Sequence, residues 1–526
     1  MNSRLGQSHS RTTNTIFNFT SSIGGQMVVM IMNFVVRTFF IQTLGKQYLG
    51  INGLFSNILT MLSLAEMGVG SAILFKLYEP LAKKDEHRIT VLMKFYKTAY
   101  RYIGIAVAAV GLCLVPFLPY MIKNYDHLLE LNIRPAVIFL LYLLNSVSSY
   151  LFLAYKSAII KADQKEYIIT FISYIVTVAR GVTQIIALVA GGPFELYVGI
   201  SIFYVIVQNI IFALLADKMY PYINDRTDDK LSREETRGIL KDCTALFIYK
   251  LNTVVLKSTD NLVLSVFLGL EMVGLYSNYY IFYTTIQTLF AKIFNAVSHS
   301  LGNLHTTKDR QHEYRIFKVV NLITVIMGGT AFIGIFVVAD EFIRTWIGSE
   351  WVLEQPFSFI MGLELYTMAI RTALGKYRAT MGLFQQAKYR PLAGMVINIV
   401  LSVALVGKMG ISGVILATVI ADWTTFMWYD PIIIHRHGFA GEFPVSGYFA
   451  VNGKYLLLIL LTGAVDYYVC ARFLTGMGWI SVIVHALICG VTVPAVLLAA
   501  ELRTEQGKYV RAMIMRYVRP LMRRFQ

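Results

Sequence analysis

The sequence is poor in charged residues and in cysteine. Only 15% of its 526 residues are charged, while 56% are hydrophobic and the mean hydropathy is +0.58. Soluble domains carry about 25% charged residues, so this composition excludes a soluble protein and predicts a polytopic membrane protein. The few cysteines have neither metal-ligand spacing nor the pattern of a disulfide framework, which excludes both kinds of cysteine site. They are Cys113, Cys243, Cys470 and Cys489.

The sequence also lacks the short motifs of common enzymes. It contains no Walker A sequence, no His-Glu-x-x-His and no Gly-x-Ser-x-Gly turn. The longest loop predicted on the outer side runs only from Asp340 to Pro356, which excludes a large outer catalytic domain. We therefore predict that the protein is not an enzyme, with no catalytic residues and no metal site. The only cofactor expected is a coupling proton or sodium ion.

Long apolar runs fill almost the whole chain. Each is long enough to cross a hydrocarbon layer of about 30 Å as an α-helix. The pattern predicts an all-α polytopic membrane protein with about fourteen transmembrane helices. The predicted spans are 12–40, 50–78, 95–122, 135–159, 168–191, 194–218, 244–268, 272–300, 316–339, 357–380, 389–407, 410–434, 452–471 and 478–501.

The positive charges are concentrated on one predicted side of the membrane. The outer loops hold only six of the 47 Lys and Arg residues, and most of the others lie in or beside the inner loops and termini. This asymmetry predicts cytoplasmic termini and an even number of spans. It also accounts for the net charge of +16 without a nucleic-acid partner. The six outer residues are Lys46, Lys123, Arg134, Arg344, Lys408 and Arg472.

Two short patterns recur at nearly the same offset. The stretch 154–167 returns 222 positions later as 376–389, and both copies read Tyr, base, seven residues, Gln, two residues, Tyr. Leu-Gly followed by Gly five residues on occurs at 44–50 and again at 268–274, an offset of 224. The agreement predicts a duplicated half. Because the offset steps over six helices, the two six-helix lobes should be related by an axis along the membrane normal.

The repeat and the hydropathy together predict five segments. The longest polar stretch joins the lobes as a cytoplasmic linker with a short amphipathic helix. The basic, amphipathic tail suits an anionic membrane surface, although plain topology charge explains it equally well. The segments are an N-terminal lobe at 1–219, a linker at 220–243, a C-terminal lobe at 244–434, helices 13 and 14 at 435–501, and the tail at 502–526.

Several predicted helices carry a polar stripe that contains a base. An ionisable group at mid-membrane costs at least ~2.5 kcal/mol, so such stripes indicate a wet or paired interior. They predict a cationic cavity between the lobes and a negatively charged substrate, because guanidinium binds phosphate well. The structural alternatives are an interfacial anchor for Arg37 and a buried pair of Lys257 with Asp260. The candidate substrate-binding residues are Arg37, Arg180, Lys257 and Lys292.

Carboxylates within the predicted spans are candidates for ion coupling. A buried carboxylate is the usual carrier of a coupling proton. Glu364 is a further carboxylate within a span, but it has an alternative role, because it could face Arg371 seven residues later on helix 10. The coupling candidates are Glu66, Asp260 and Asp422.

The N-terminal stretch 14–73, the KADQKEY and FQQAKYRP turns and the two predicted halves carry a family resemblance. With these features the chain resembles the Wzx-type flippases, the polysaccharide-transport branch of the multidrug/oligosaccharidyl-lipid/polysaccharide (MOP) exporter superfamily. The resemblance implies a V-shaped pair of lobes with alternating access. It also implies that the protein flips undecaprenyl-diphosphate-linked oligosaccharide units across the bacterial plasma membrane, while helices 13 and 14 guide the lipid tail. Polymerase and glycosyltransferases of the same pathway are the implied protein partners.

Four alternatives remain open. A lipid II flippase of the same superfamily is similar, but its first-lobe arginines are thinly represented here. An ion-coupled multidrug exporter of the same fold would expose carboxylates in the first lobe, where helix 1 has Arg37. A polysaccharide polymerase or ligase would need a larger outer loop, and the longest one has only Arg344 as a base. The fourth is a regulatory or scaffolding relative of the flippases.

Overall fold

The computed structural model describes residues 11–225, 227, 229–306, 309–383 and 385–522. Within these ranges the ordered elements are helices, so the all-α prediction is confirmed for this part of the chain. The chain forms two compact units, Met1–Gly274 and Leu275–Gln526. The side chains that lie outside the description are those of 11–24, 64–68, 71–72, 242, 245–258, 296–300, 302–303, 305–306, 514 and 516–522.

The first unit contains ten helices among its described residues and the start of an eleventh. The short helices α4, α5 and α7 lie at the ends of the long ones. The helices are α1 (Arg11–Leu62), α2 (Leu64–Lys83), α3 (Glu86–Leu114), α4 (Leu118–Met121), α5 (Tyr125–Glu130), α6 (Pro135–Leu151), α7 (Ser157–Ala162), α8 (Glu166–Val189), α9 (Phe194–Met219), α10 (Arg233–Phe267) and α11 (Leu270–Thr306).

The second unit takes up most of α11 and seven further helices. A π-helical turn, Ile434–Gly438, follows α15. The helices are α12 (Arg310–Ile347), α13 (Phe357–Thr380), α14 (Arg390–Thr425), α15 (Tyr429–Ile433), α16 (Val445–Phe473), α17 (Trp479–Ala500) and α18 (Glu505–Met522).

Some predicted spans are joined where loops were expected. Helix α1 continues past its first predicted span and changes direction only at Gly45, with φ +80°. Helix α14 does the same at Gly410, with φ +56°. A single glycine with positive φ redirects a chain without a loop, and such a break leaves little trace in hydropathy.

Length and composition identify eight helical stretches of the described residues that could cross a membrane. The number is nine if the bent pair of α6 with the segment Ala154–Ala162 counts as one span, its two parts meeting at 48°. Two of the eight stretches contain the breaks at Gly45 and Gly410. A multi-pass membrane protein is therefore established, whereas the count of fourteen spans stays a prediction.

Helix α12 lies at the centre of the second unit and contacts α13, α16, α17 and α18. A Cβ atom at Gly329 would lie 2.7 Å from Ile459 of α16 and 3.3 Å from Val493 of α17. A Cβ atom at Gly362 of α13 would lie 2.5 Å from the carbonyl oxygen of Phe332. Small residues at these points allow close helix packing, which is the main source of association energy inside a bilayer.

The shorter repeat forms a reciprocal contact within the first unit. A Cβ atom at Gly50 would lie 1.9 Å from the carbonyl oxygen of Leu270, and one at Gly274 would lie 2.5 Å from that of Lys46. Lys46 and Leu270 are themselves repeat equivalents, separated by the same 224 positions as the two glycines. The segment after Gly45 and the segment after Gly269 therefore cross about a local pseudo-two-fold axis.

The longer repeat places a base near an acid in each unit, although the two acids are not at the repeat offset. In the first unit, Lys156 pairs with Asp217 at the end of α9 and donates to Asn224 Oδ1 at 3.0 Å. In the second unit the equivalent Arg378 lies 3.6 Å from Asp430 of α15. Each pair ties the repeated stretch to the helix two spans later. The repeated sequence pattern is thus also a repeated contact.

Helix α10 begins inside the predicted linker. Ser232 Oγ accepts a hydrogen bond from the Glu235 amide at 3.1 Å, and the Glu235 carboxylate accepts one from the Ser232 amide at 3.0 Å. This capping box starts the helix at Arg233. The linker also binds α3, where the Thr90 hydroxyl donates to the Tyr222 carbonyl at 2.9 Å. Because α10 packs on α1 and α2, the compact first unit extends to Gly274, whereas the lobe predicted from the repeat ends at 219.

We predict that Gly50→Ala destabilises the protein. The new methyl group would overlap the Leu270 carbonyl, and overpacking of this kind costs about 1–3 kcal/mol of unfolding free energy. Thermal unfolding of the purified protein in detergent measures the effect.

Gly199→Ala in α9 is the matched control, because no heavy atom lies within 4 Å of a Cβ atom built there. This control should be neutral or stabilising by up to ~1 kcal/mol. Equal melting temperatures for Gly50→Ala and the control would contradict the close crossing.

Candidate functional site

Helices α1 and α8 of the first unit run parallel and are in direct contact. A Cβ atom at Gly181 would lie 2.6 Å from Met32 Sδ and 3.1 Å from Val36 Cγ2. A Cβ atom at Gly25 would lie 1.8 Å from the ring of Tyr174. Residue numbers rise together at the two contacts, which is the orientation expected for the first and fifth spans. The two predicted polar stripes therefore lie on neighbouring helices.

Two predicted cations are next in sequence to the residues of this contact. Arg180 precedes Gly181 and Arg37 follows Val36, and both arginines are half-buried. Tyr197 of α9 interacts electrostatically with Arg180 and with Arg37. Within the described residues Arg180 makes no ion pair with a carboxylate. Arg37, Arg180 and Tyr197 thus form one group, which we call the first-unit cationic cluster.

Polar and aromatic side chains hold Tyr197 in position. The Gln184 amide donates to the Tyr197 carbonyl at 3.2 Å and to Ser201 Oγ at 2.9 Å, which joins α8 to α9. The Tyr197 ring lies 5.1 Å from that of Phe40 and stacks on Phe194 at 6.0 Å between centroids. The cluster therefore stands on a fixed frame made by three helices.

Sequence reasoning found the two arginines and missed Tyr197. An arginine inside an apolar span stands out in the sequence. A tyrosine near the start of a helix does not, because it fits an interfacial aromatic belt equally well. The sequence signal for Tyr197 is its spacing from Ser201. The two residues are one helical turn apart on α9, and both accept hydrogen bonds from Gln184 of α8. That signal appears only when α8 and α9 are known to pack together.

The other two predicted cations belong to α10 and α11. Lys292 of α11 is half-buried and makes no ion pair within the described part of the second unit. One turn further along α11, Asn295 Oδ1 accepts a hydrogen bond from Lys376 Nζ at 2.6 Å. Lys376 was not among the predicted site residues. The side chain of Lys257 lies outside the described residues.

Of the three coupling candidates, Asp422 has the most informative surroundings. Arg371 Nη1 lies 2.7 and 3.0 Å from its two carboxylate oxygens, and their side chains are only 21% and 5% exposed. The ring of Phe426 lies 5.6 Å from the Arg371 guanidinium carbon. Asp260 of α10 is buried, and Glu66 lies outside the described side chains. Asp422 is thus one half of a buried ion pair.

Further acids of the second unit accept hydrogen bonds from tyrosines of α11. Tyr283 donates to Glu364 Oε1 at 2.7 Å, and Tyr279 donates to Asp340 Oδ1 at 2.7 Å. Glu364 also interacts electrostatically with Arg371, which links it to the Asp422 pair. Sequence reasoning considered a contact between Glu364 and Arg371, but it gave no sign of the tyrosine donors.

Metal binding finds no support in the part of the chain that the structure describes. No group of three or more His, Cys, Asp or Glu side chains in that part is arranged to hold a metal ion.

The sequence profile of the polysaccharide biosynthesis protein family matches residues 16–298, more than half of the chain. The chain belongs to this family. The matched region of this polysaccharide biosynthesis protein contains the whole first-unit cationic cluster. A search of curated protein sequences finds no match.

Solved structures establish the fold of this family member. The lipid II flippase MurJ in an inward closed conformation is 16% identical, with a TM-score of 0.60, over 93% of this chain and 100% of that one. An inward-facing multidrug resistance MATE family transporter of the MOP superfamily is 13% identical, with a TM-score of 0.50, over 77% of this chain and 97% of that one. The chain therefore has a fold like those of MurJ and the MATE transporter.

We predict that Asp422→Ala strongly destabilises the second unit. Removing one partner of a buried ion pair leaves an uncompensated charge, which typically costs about 3–5 kcal/mol. The double variant Arg371→Met/Asp422→Leu removes both charges and should recover most of the loss. Thermal unfolding in detergent measures both effects.

Glu79→Gln serves as the control, because it breaks the exposed pair of Glu79 with Lys83 and should leave stability unchanged. Unchanged stability of Asp422→Ala would contradict the structural role of the pair, whatever the effect of the variant on transport.

Proposed function

We propose that this protein is a flippase for polyprenyl-diphosphate-linked oligosaccharide units. It moves them from the inner to the outer leaflet of the bacterial plasma membrane by alternating access, with both termini in the cytoplasm. The observation that carries the proposal is the first-unit cationic cluster, in which Arg37 and Arg180 adjoin the contact of α1 with α8 and both interact electrostatically with Tyr197. Family membership and the transporter fold support the same activity.

The chemistry of the cluster matches a diphosphate. A guanidinium group donates two parallel hydrogen bonds to phosphate oxygens, and such charge-assisted bonds are about twice as strong as neutral ones. Two guanidiniums beside a phenol offer several donors to a group that carries adjacent phosphates. Arg180 is available for this role because no described carboxylate neutralises it. Lys292 of the second unit is a further candidate contact for the cargo.

A second candidate is the flipping of lipid II. The similarity to the MurJ lipid II flippase, which spans the full length of that chain, favours it. Both cargoes share a polyprenyl diphosphate, so the cationic cluster serves either one. Parallel assays with the two cargoes separate the candidates.

Ion coupling remains part of the proposal through Asp422, Asp260 and Glu66. Asp422 is the best supported of the three, since its charge is tied directly to Arg371. Binding of a proton would weaken that pair and change the packing of α13 against α14. Polymerase and glycosyltransferases of the same pathway are the proposed protein partners.

We predict that Arg180→Gln and Arg37→Gln each lower transport about tenfold or more, because each loses a charge-assisted contact worth roughly 1.5–3 kcal/mol. Arg180→Lys should recover part of the activity, since it restores the charge but not the planar fork. The assay uses vesicles that contain the purified protein and a fluorescent polyprenyl-diphosphate oligosaccharide, with an impermeant reductant bleaching the outer leaflet.

Arg101→Gln is the matched control, because Arg101 is an exposed arginine of α3 in the same unit. It should transport as the unmodified protein does. Normal flipping by the Arg37 and Arg180 variants, with melting temperatures like that of the control, would refute the assignment of the cluster.

A further inference from the structure

The buried carboxylate of Glu501 fixes the geometry at the end of α17. It is 1% exposed and pairs with Lys454 of α16. It also accepts hydrogen bonds from Thr504 Oγ1 at 2.7 Å and Gln506 Nε2 at 2.8 Å. Burial opposes its ionisation, but the hydrogen bonds from Lys454 and Thr504 outweigh that effect and hold its pKa below the ordinary value. These contacts therefore hold the turn between α17 and α18 in place.

Helix α18 is docked on the second unit. A Cβ atom at Gly507 would lie 1.8 Å from the Glu501 carbonyl oxygen, so α18 begins in direct contact with the end of α17. Val510 is buried in the core of the second unit, and α18 contacts α12. One face of α18 is therefore packed against the second unit.

The remaining faces of α18 combine bases with apolar side chains. Lys508 and Arg511 are exposed, and so are Tyr509 at 52% and Met513 at 40%. The chain from 503 to its last residue holds seven bases and a single acid, Glu505. The bases are Arg503, Lys508, Arg511, Arg516, Arg519, Arg523 and Arg524.

The single acid is already matched by bases of another helix. Glu505 Oε2 lies 3.8 Å from Arg315 Nε and 4.0 Å from Lys318 Nζ of α12. Because two bases of α12 face one acid, they leave net positive charge beside α18. Glu505 is thus not a counter-charge for the bases of α18 itself. The surface formed by Arg315, Lys318, Arg503, Lys508 and Arg511 is here called the α18 basic surface.

We propose that the α18 basic surface binds anionic phospholipid headgroups of the leaflet at which α17 ends. Helix α17 has the length and composition of a membrane span and ends at Ala500, five residues before α18 begins. The basic surface therefore lies at headgroup level, where each base near an anionic surface contributes about 1 kcal/mol. Tyr509 and Met513 supply the apolar contacts with which interfacial helices enter the acyl boundary.

This arrangement gives the lipid contact a structural consequence. Because Glu501 binds both Lys454, which lies inside α16, and the first turn of α18, a headgroup held by α18 also fixes the end of α17 against α16. The proposal concerns this protein's own placement in the membrane and does not depend on the identity of its cargo.

The test uses the full-length protein in nanodiscs of phosphatidylcholine, alone or with phosphatidylglycerol. Met513→Cys is labelled with an environment-sensitive fluorophore in a Cys113→Ser background, since Cys113 is the exposed native cysteine among the four. Lipids with brominated acyl chains quench the label when it reaches the acyl boundary. We expect strong quenching that increases with phosphatidylglycerol.

The variant Lys508→Gln/Arg511→Gln should strongly reduce that increase, because it removes two of the five bases of the α18 basic surface. It should also lower the apparent affinity for phosphatidylglycerol about 25-fold, at about fivefold for each base removed. Native mass spectrometry of the detergent-purified protein, titrated with phosphatidylglycerol, measures this affinity independently. Unchanged melting temperature in phosphatidylcholine shows that the variant is folded.

Lys84→Gln/Lys230→Gln is the matched control, because it removes two exposed bases from the first unit and should behave as the unmodified protein does. The proposal is overturned if the label stays water-exposed in both lipids, as for a helix that serves a soluble partner. It is equally overturned if quenching does not depend on phosphatidylglycerol, or if both double variants lose affinity to the same extent.

Discussion

The cost of holding a charge in a low-dielectric interior governs how the two units use their arginines. In the second unit, Arg371 is buried against Asp422 at 2.7 Å, so its charge contributes to internal structure. In the first unit, Arg180 makes no ion pair within the described residues and shares Tyr197 with Arg37. The same residue type is neutralised in one unit and kept available in the other. Only an available charge can recognise an anionic cargo.

The duplication explains which features the units share and which they do not. Both copies of the long repeat tie a base to an acid, Lys156 to Asp217 and Arg378 to Asp430. The short repeat supplies the reciprocal crossing of Gly50 and Gly274. These shared contacts hold helices together. The cationic cluster has no equivalent at the repeat offset, so it is not among the contacts that the two units share.

The sequence predicted those features whose signal is local or periodic. Hydropathy gave the all-α membrane architecture, and helical spacing brought Arg180 into one stripe with Gln184. Neither signal predicts contacts between distant positions, such as that of Arg371 with Asp422, which is 51 residues away. Sequence reasoning also missed the direct continuation of α1 through Gly45, because a one-residue break does not lower hydropathy over a window. The role of Tyr197 required knowledge of how α8 packs on α9.

If Asp422 is the coupling group, as we propose, the Arg371 pair links ion binding to anion binding. While Asp422 is ionised, an anionic group near Arg371 must compete with a carboxylate that is already in place and already desolvated. A proton on Asp422 removes that competitor and leaves unmatched the Arg371 donors that faced Asp422, while Glu364 keeps its electrostatic interaction with the guanidinium. Unmatched buried donors are costly, so the protonated form gains more from an anionic ligand than the ionised form does. Binding linkage is reciprocal, and an anion near Arg371 would therefore favour proton uptake by Asp422.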